Sequence, residues 1–241
     1  MTGRMAQPLL LDEVLGLADD ALILGHRLSE WCGHAPLLEE ELALANIGLE
    51  LIGQARALYA LAGAIEGKGR GEDDFAYRRD VTAFRNLLLV EQPNGDFAMT
   101  IARQLLYAAY AAPFWRAGVA ATDTGLAAIA AAAQHEAAYH LRHAGEWLVR
   151  LGDGTEESHR RAQAALDRLW PYTGEMFEGR AAALRAEWAA AVDRVLAEAT
   201  LTRPADCWMQ TGGRRGRHSE HLGYILAELQ FLQRAYPGAE W

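Results

Sequence analysis

Cysteine is nearly absent: Cys32 and Cys207 are the only two in 241 residues, and they lie far apart without a CxxC pair. A disulfide framework is thereby excluded, and both thiols are expected to be reduced and buried. β-Branched residues are scarce as well, with 14 Ile plus Val and 10 Thr against 47 Ala and 34 Leu. Ala and Leu favour helices and branched side chains suit strands, so the expected class is all-α. The longest apolar run, Leu105 to Trp115, is interrupted by Pro113. It falls well short of the roughly 20 residues that cross a bilayer, which argues against any membrane association by spanning. Only a Leu9-Leu10-Leu11 run precedes Asp12 and Glu13, too short for the apolar region of a secretory leader, so the cytoplasm is the expected compartment. Basic charge is in deficit, 23 Lys plus Arg against 32 Asp plus Glu, and the net charge of −9 disfavours nucleic acid as a partner. No glycine-rich dinucleotide loop, phosphate-binding GxxxxGK[ST] loop or GxSxG elbow is present.

What is present is 51% hydrophobic and 23% charged, enough apolar surface for a sizeable core. Val14, Ala18, Ala21, Gly25, Leu28 and Cys32 recur at spacings of three and four, one stripe of a helix over about 10–32. The small residues at 18, 21 and 25 predict close approach by a neighbouring helix. A second long helix is predicted over about 37–65, opening with Glu39-Glu40-Glu41, where negative charge suits the helix dipole. Further helices are predicted over about 74–90, 96–121 with a kink at Pro113, 124–151, 155–177, 180–200 and 219–236. The pairs 10–65 and 96–151 are similar in length and separated by a crossover of about thirty residues. That is the ferritin-like layout, a four-helix bundle with one long connection, here with additional C-terminal helices and read as a single domain over 1–241.

Polar residues interrupt the apolar helices in two lines. Asn46, Glu50 and Gln54 stand at i, i+4 and i+8 on the second helix, and Glu136, His140 and His143 at i, i+4 and i+7 on the fourth long one. If both lines face the bundle centre, a mutual hydrogen-bonded cluster or a metal is the economical arrangement, because unpartnered buried charges are costly. A di-iron bundle takes a Glu from each of two helices and Glu-x-x-His from each of the other two. This chain fails that count: Glu50 is followed three residues later by Gly53 and Glu136 by Tyr139, and Leu105 to Ala112 holds no carboxylate. Asn46, Glu50, Gln54, Glu136 and His140 are therefore expected to form a metal-free polar cluster. Glu156-Glu-Ser-His159 matches literally but sits in a first helical turn, where acidic residues suit the dipole in solvent. His218-Ser-Glu-His221 lacks further ligands and is expected to be a satisfied or exposed pair. The loop Thr211-Gly-Gly-Arg-Arg-Gly-Arg217 is either a partner contact or a site for phosphate or carboxylate groups at Arg214, Arg215 and Arg217, since Arg binds these bidentately.

Several blocks are chemically unusual: Leu28-Ser-Glu-Trp-Cys-Gly-His-Ala-Pro36, Leu44-Ala-Asn-Ile-Gly-Leu-Glu-Leu-Ile-Gly-Gln-Ala-Arg56, Asn86-Leu-Leu-Leu-Val-Glu-Gln-Pro-Asn-Gly-Asp-Phe97, Tyr139-His-Leu-Arg142, and Thr211-Gly-Gly with His221-Leu-Gly223. In these, and from about residue 12 to Trp241, the chain resembles the C-type, noncatalytic subunits of the bacterial phenylacetyl-CoA epoxidases, which are multicomponent monooxygenases. The resemblance implies a ferritin-like structural subunit, itself without metal or catalytic residues. Its implied partner is the homologous A-type, catalytic member of the epoxidase, which holds the di-iron site and binds phenylacetyl-CoA, among the other epoxidase subunits. It further implies ring epoxidation with O₂, electrons arriving from NADPH through a flavin and iron–sulfur reductase, in aerobic phenylacetate catabolism. At Ala108 and Ala111, where that family can carry Asp and His, this chain has only Ala. Two rival readings are an active di-iron oxidase using a nonstandard set that includes Glu50, Glu136 and His140, and a self-associating scaffold with no enzyme partner.

Overall fold

The computed structural model describes residues 11–206 and 208–239. The fold is all-α: nine α-helices and short 3₁₀ turns, with no strand among the described residues. They are α1 (Leu11–Ser29), α2 (Leu38–Glu66), α3 (Glu72–Tyr77), α4 (Phe97–Gly118), α5 (Thr124–Gly152), α6 (Glu156–Leu169), α7 (Arg185–Glu198), α8 (Glu220–Leu229) and α9 (Phe231–Ala235). Two pairs of long helices, a crossover and C-terminal helices reproduce the expected ferritin-like order. Local chemistry sets many of the starts. Asp96, Asp123 and Thr155 accept from the backbone N–H of Met99, Leu126 and Ser158, the N-cap bonds that satisfy first-turn donors. α4 continues through Pro113, and none of the described helices is long and apolar enough to cross a membrane.

Three predicted helices are broken up. Within 74–90 only α3 and a 3₁₀ turn at Val81–Ala83 form, because the backbone amides of Arg85 and Leu87 donate to side chains of α1 instead of to carbonyls four residues back. The predicted helix 155–177 ends at Leu169, and 3₁₀ turns Trp170–Tyr172 and Gly174–Phe177 follow around Pro171, which lacks the N–H a helix would need. Likewise 180–200 is a 3₁₀ stretch, Gly179–Leu184, before α7. Cys32 is exposed rather than buried, since α1 stops at Ser29 and turns carry the chain out to it. Cys207 lies outside the described residues.

The chain groups into two compact units. The first takes residues 35–40 and 94–211 and contains α4 to α7. A connection over 119–123 turns α4 back into α5, and α4 is buried on all sides from Ala98 to Pro113. Six alanines between 98 and 112 let its neighbours approach closely. Trp188 of α7 donates its indole N–H to Leu106 O at 3.0 Å, so a buried polar edge is satisfied inside an aromatic cluster with Trp170 and Phe177. The second unit takes, of the described residues, 11–34, 41–93 and 212–239. Here α1 and α2 cross at Gly25 and Gly48: a Cβ on Gly25 would lie 3.0 Å from Gly48 O and from Ile52 Cγ1. The predicted small-residue stripe is thus a contact face.

Candidate functional site

α1 is buried on every side from Val14 to Gly25, and two adjacent carboxylates, Asp19 and Asp20, stand in its middle with no exposure. Burying two charges without partners would be prohibitive. The second unit supplies donors for both. Asp19 accepts from Tyr59 OH at 2.6 Å, from the Arg85 backbone N–H at 2.7 Å, and from the Arg79 guanidinium through both Nη atoms. Arg79 also donates to Phe75 O at 2.6 Å and lies 4.1 Å from the Phe84 ring centroid, so its remaining surface is occupied. Asp20 accepts from the Leu87 backbone N–H at 2.7 Å and from Arg214 Nη2 at 2.6 Å. Burial pushes the Asp20 carboxyl up to about 6, and Arg214 and the Leu87 amide hold it from rising further.

The third buried acid is Glu91, at the end of the crossover. It accepts from the Ser219 backbone N–H at 2.6 Å, from Asn86 Nδ2 at 3.0 Å and from His218 Nδ1 at 2.9 Å. The other ring nitrogen of His218 faces Phe84 O at 3.0 Å, and a carbonyl can only accept. Both nitrogens therefore carry protons. Burial opposes that charge, but the hydrogen bond and negative charge of Glu91 outweigh it and raise the His218 pKa above its ordinary value. The network binds three segments distant in sequence: α1, the crossover 79–91 and the loop 212–219. Glycine makes the loop possible. Arg214 passes over Gly16, where a Cβ would lie 2.7 Å from Nη1, and Gly216, at φ +74°, packs so that a Cβ would sit 2.2 Å from Thr82 O.

None of Asp19, Asp20, Arg79 and Glu91 was singled out from sequence. Two adjacent acids inside an apolar helix were the available signal. Arg214, read as a possible partner or phosphate contact, is instead ion-paired to Asp20 within the unit. Arg215 and Arg217 are exposed. His218 is the satisfied member of the His218/His221 pair, and His221 is half-buried. On α2 in this unit Asn46 is exposed and so stands outside any buried cluster, Glu50 is half-buried and Gln54 is buried.

In the first unit, Glu136 is half-buried and His140 buried on α5. His143, one turn on, donates from Nε2 to Glu40 Oε2 at 2.9 Å, with both side chains buried. Glu40 belongs to the acidic run that sequence placed in the first turns of α2 for the helix dipole; the middle acid of the three is buried. His159 Nδ1 faces Gly152 O at 2.7 Å, which accounts for it without a ligand role. Gln104, with no exposure, has neither amide atom hydrogen-bonded.

These donors do not fit a di-iron ligand set. The buried acids Asp19, Asp20 and Glu91 are each saturated by cations and amides. The buried stretch Leu105–Ala112 of α4 carries two phenols, Tyr107 and Tyr110, and no carboxylate. Among the described residues no group of three or more His, Cys, Asp or Glu is disposed to hold a metal ion. What the arrangement does chemically is fix backbone: it pins a crossover and a loop to a buried helix.

An all-α chain of ferritin-like order, with Asp19, Asp20 and Glu91 paired to its own Arg79, Arg214 and His218, thus defines the class; the chain belongs to the phenylacetic acid catabolic protein family, whose pattern matches residues 2–241. The C-type member of the 1,2-phenylacetyl-CoA epoxidase of Escherichia coli (strain K12) is 48% identical to it over 241 aligned positions, which cover 94% of this chain and 97% of that protein.

Proposed function

We propose that this chain is the structural, noncatalytic C-type component of a phenylacetyl-CoA epoxidase, a cytoplasmic complex that epoxidises the aromatic ring of phenylacetyl-CoA in phenylacetate catabolism. The observation that carries this reading is the 48% identity to such an epoxidase component over nearly the whole chain, in which the buried acids Asp19, Asp20 and Glu91 are already paired with Arg79, Arg214 and His218. In the complex the di-iron centre would reside in the homologous catalytic partner, and NADPH, flavin and an iron–sulfur cluster would serve the reductase. The residues of this chain do the work of a scaffold. The Asp19/Arg79, Asp20/Arg214 and Glu91/His218 pairs hold the crossover and the C-terminal loop in one conformation, which fixes the surfaces offered to other subunits. Arg215 and Arg217 are exposed at that loop, where a partner or the phosphates of a CoA ester would meet them, and α5 exposes small and aromatic residues, among them Ala131, Ala138 and Tyr139.

Co-purification with the catalytic homologue, followed by substrate-dependent NADPH oxidation with and without this chain, tests the reading. Assembly and activity should both require the chain. Iron analysis after anaerobic reconstitution should leave the isolated chain with negligible metal. A bound iron pair would support the rival set of Glu50, Glu136 and His140 and would overturn the noncatalytic role.

A further inference from the structure

The loop 212–219 ends on an imidazole clamped between two acceptors. The side chains of His218 and Glu91 have no exposed surface. Nδ1 faces the Glu91 carboxylate at 2.9 Å and Nε2 faces Phe84 O at 3.0 Å, so both contacts are hydrogen bonds only while the ring carries two protons. A neutral ring has one N–H. Whichever nitrogen kept it, the other would set a lone pair against an oxygen lone pair in a site closed to solvent. Phe84 O also accepts from Arg85 Nη1 at 2.9 Å, and Glu91 from the Ser219 N–H at 2.6 Å, so the ring sits where the crossover meets the start of α8.

The segment before His218 is a turn closed on itself. The N–H groups of Arg215 and Arg217 both donate to Gly212 O, at 2.8 and 3.0 Å, and Gly212 and Gly216 take φ values of +133° and +74° that suit glycine. Side chains anchor this turn to α1 and the crossover. Arg214 reaches Asp20 and Arg85 O at one end, and His218 reaches Glu91 and Phe84 O at the other.

We propose that 212–219 is a proton-gated latch, closed while His218 carries both ring protons and released at its C-terminal end, together with the first turn of α8, when one is lost. The surrounding charges set the direction. Glu91 and Asp19 favour the second proton and outweigh burial, so the switch lies above 6.5 and rising pH opens the latch. Arg85, Arg214 and Arg27, which donates to Glu91 O at 2.8 Å, stay cationic throughout. Asp20 titrates lower, at about 6, so the Arg214 anchor holds while the His218 anchor lets go. Exposed Arg215 and Arg217 ride on the turn, and release moves two cations that the closed latch keeps in one place. The inference does not depend on the epoxidase reading.

Hydrogen exchange of the full chain, followed by mass spectrometry from roughly pH 6.5 to 9 and corrected for the intrinsic pH dependence of exchange, is the test. Protection over 215–221 should fall about tenfold or more, the equilibrium worth of a hydrogen bond to a charged group, while protection of α4 stays constant. Its midpoint should coincide with the titration of His218 read from the ring ¹³C shifts. Glu91→Gln keeps an acceptor for Ser219 but removes the charge, and should move both midpoints to lower pH. His218→Asn should lower protection at pH 6.5 and abolish the step. Protection that does not change with pH overturns the proposal, as does a ring already neutral at pH 6.5 or a step that persists in His218→Asn. An equal loss in α4 means global unfolding and overturns it too. Where a variant loses its helical circular dichroism, the two midpoints of the unsubstituted chain decide: a separation of more than about one pH unit overturns the latch.

Discussion

Replacing Arg214 with Met should destabilise the protein in a way that depends steeply on pH. Arg214 donates to two acceptors, the buried Asp20 carboxylate at 2.6 Å and Arg85 O at 2.9 Å. The second is a neutral hydrogen bond and contributes about 1 kcal/mol at any pH. The first depends on the charge of Asp20, whose pKa stands at about 6 against an ordinary 3.8. A folded pKa above the unfolded one means that the folded chain holds the proton more tightly. Stability from this group is then full below pH ~4 and falls by about 3 kcal/mol as pH rises to ~6. Without Arg214 the folded pKa climbs further and the fall continues past neutrality. At pH 7.5 the substitution leaves a buried carboxylate short of its only cation and should cost about 3–5 kcal/mol. For a domain of this size that is a drop in melting temperature of roughly 10 °C. At pH 5 Asp20 is protonated in both folded proteins, and the cost should shrink to about 1 kcal/mol. Thermal or urea unfolding of the two proteins at pH 5 and 7.5 measures the difference. An equal cost at both values would refute the reasoning, because it would mean that Arg214 does not face a titrating acid.

His218→Asn should show its largest cost in acid. The folded pKa of His218 is raised, so its contribution is complete below the unfolded value near 6.5 and disappears as pH rises through the folded value; melts between pH 5.5 and 8.5 trace that loss. Gly152→Ala should destabilise by roughly 1–3 kcal/mol, since its Cβ would lie 2.2 Å from Ala199 O, and Gly223→Ala, whose Cβ meets nothing within 4 Å, should stabilise α8 by up to about 1 kcal/mol in the same assay. Gln104→Met removes two buried amide atoms that bond to nothing and should raise stability by ~1–2 kcal/mol; a loss would show that the amide has a partner. Glu136→Gln should alter assembly with the catalytic homologue more than turnover per assembled complex, measured by gel filtration and NADPH oxidation, whereas the reverse would argue for direct chemistry.

Composition and periodicity were sufficient for the all-α class and the two long-helix pairs, because each depends on neighbours within a few residues along the chain. The close crossing at Gly25 was also legible, as a stripe of small residues has a regular period. The interior ion pairs were not. Asp19 meets Arg79, and Asp20 meets Arg214, across separations of 60 and 194 residues, and no helical spacing relates such partners. The same bonds explain why 79–91 is not a helix: amides at 85 and 87 satisfy carboxylates on α1, and a tertiary hydrogen bond to a buried charge outweighs local propensity. Sequence alone therefore determined the all-α class and the placement of the long helices, since those follow from local side-chain preferences. Only the tertiary structure decided where buried charge is neutralised, because that depends on which distant donors the folded chain brings to each acid.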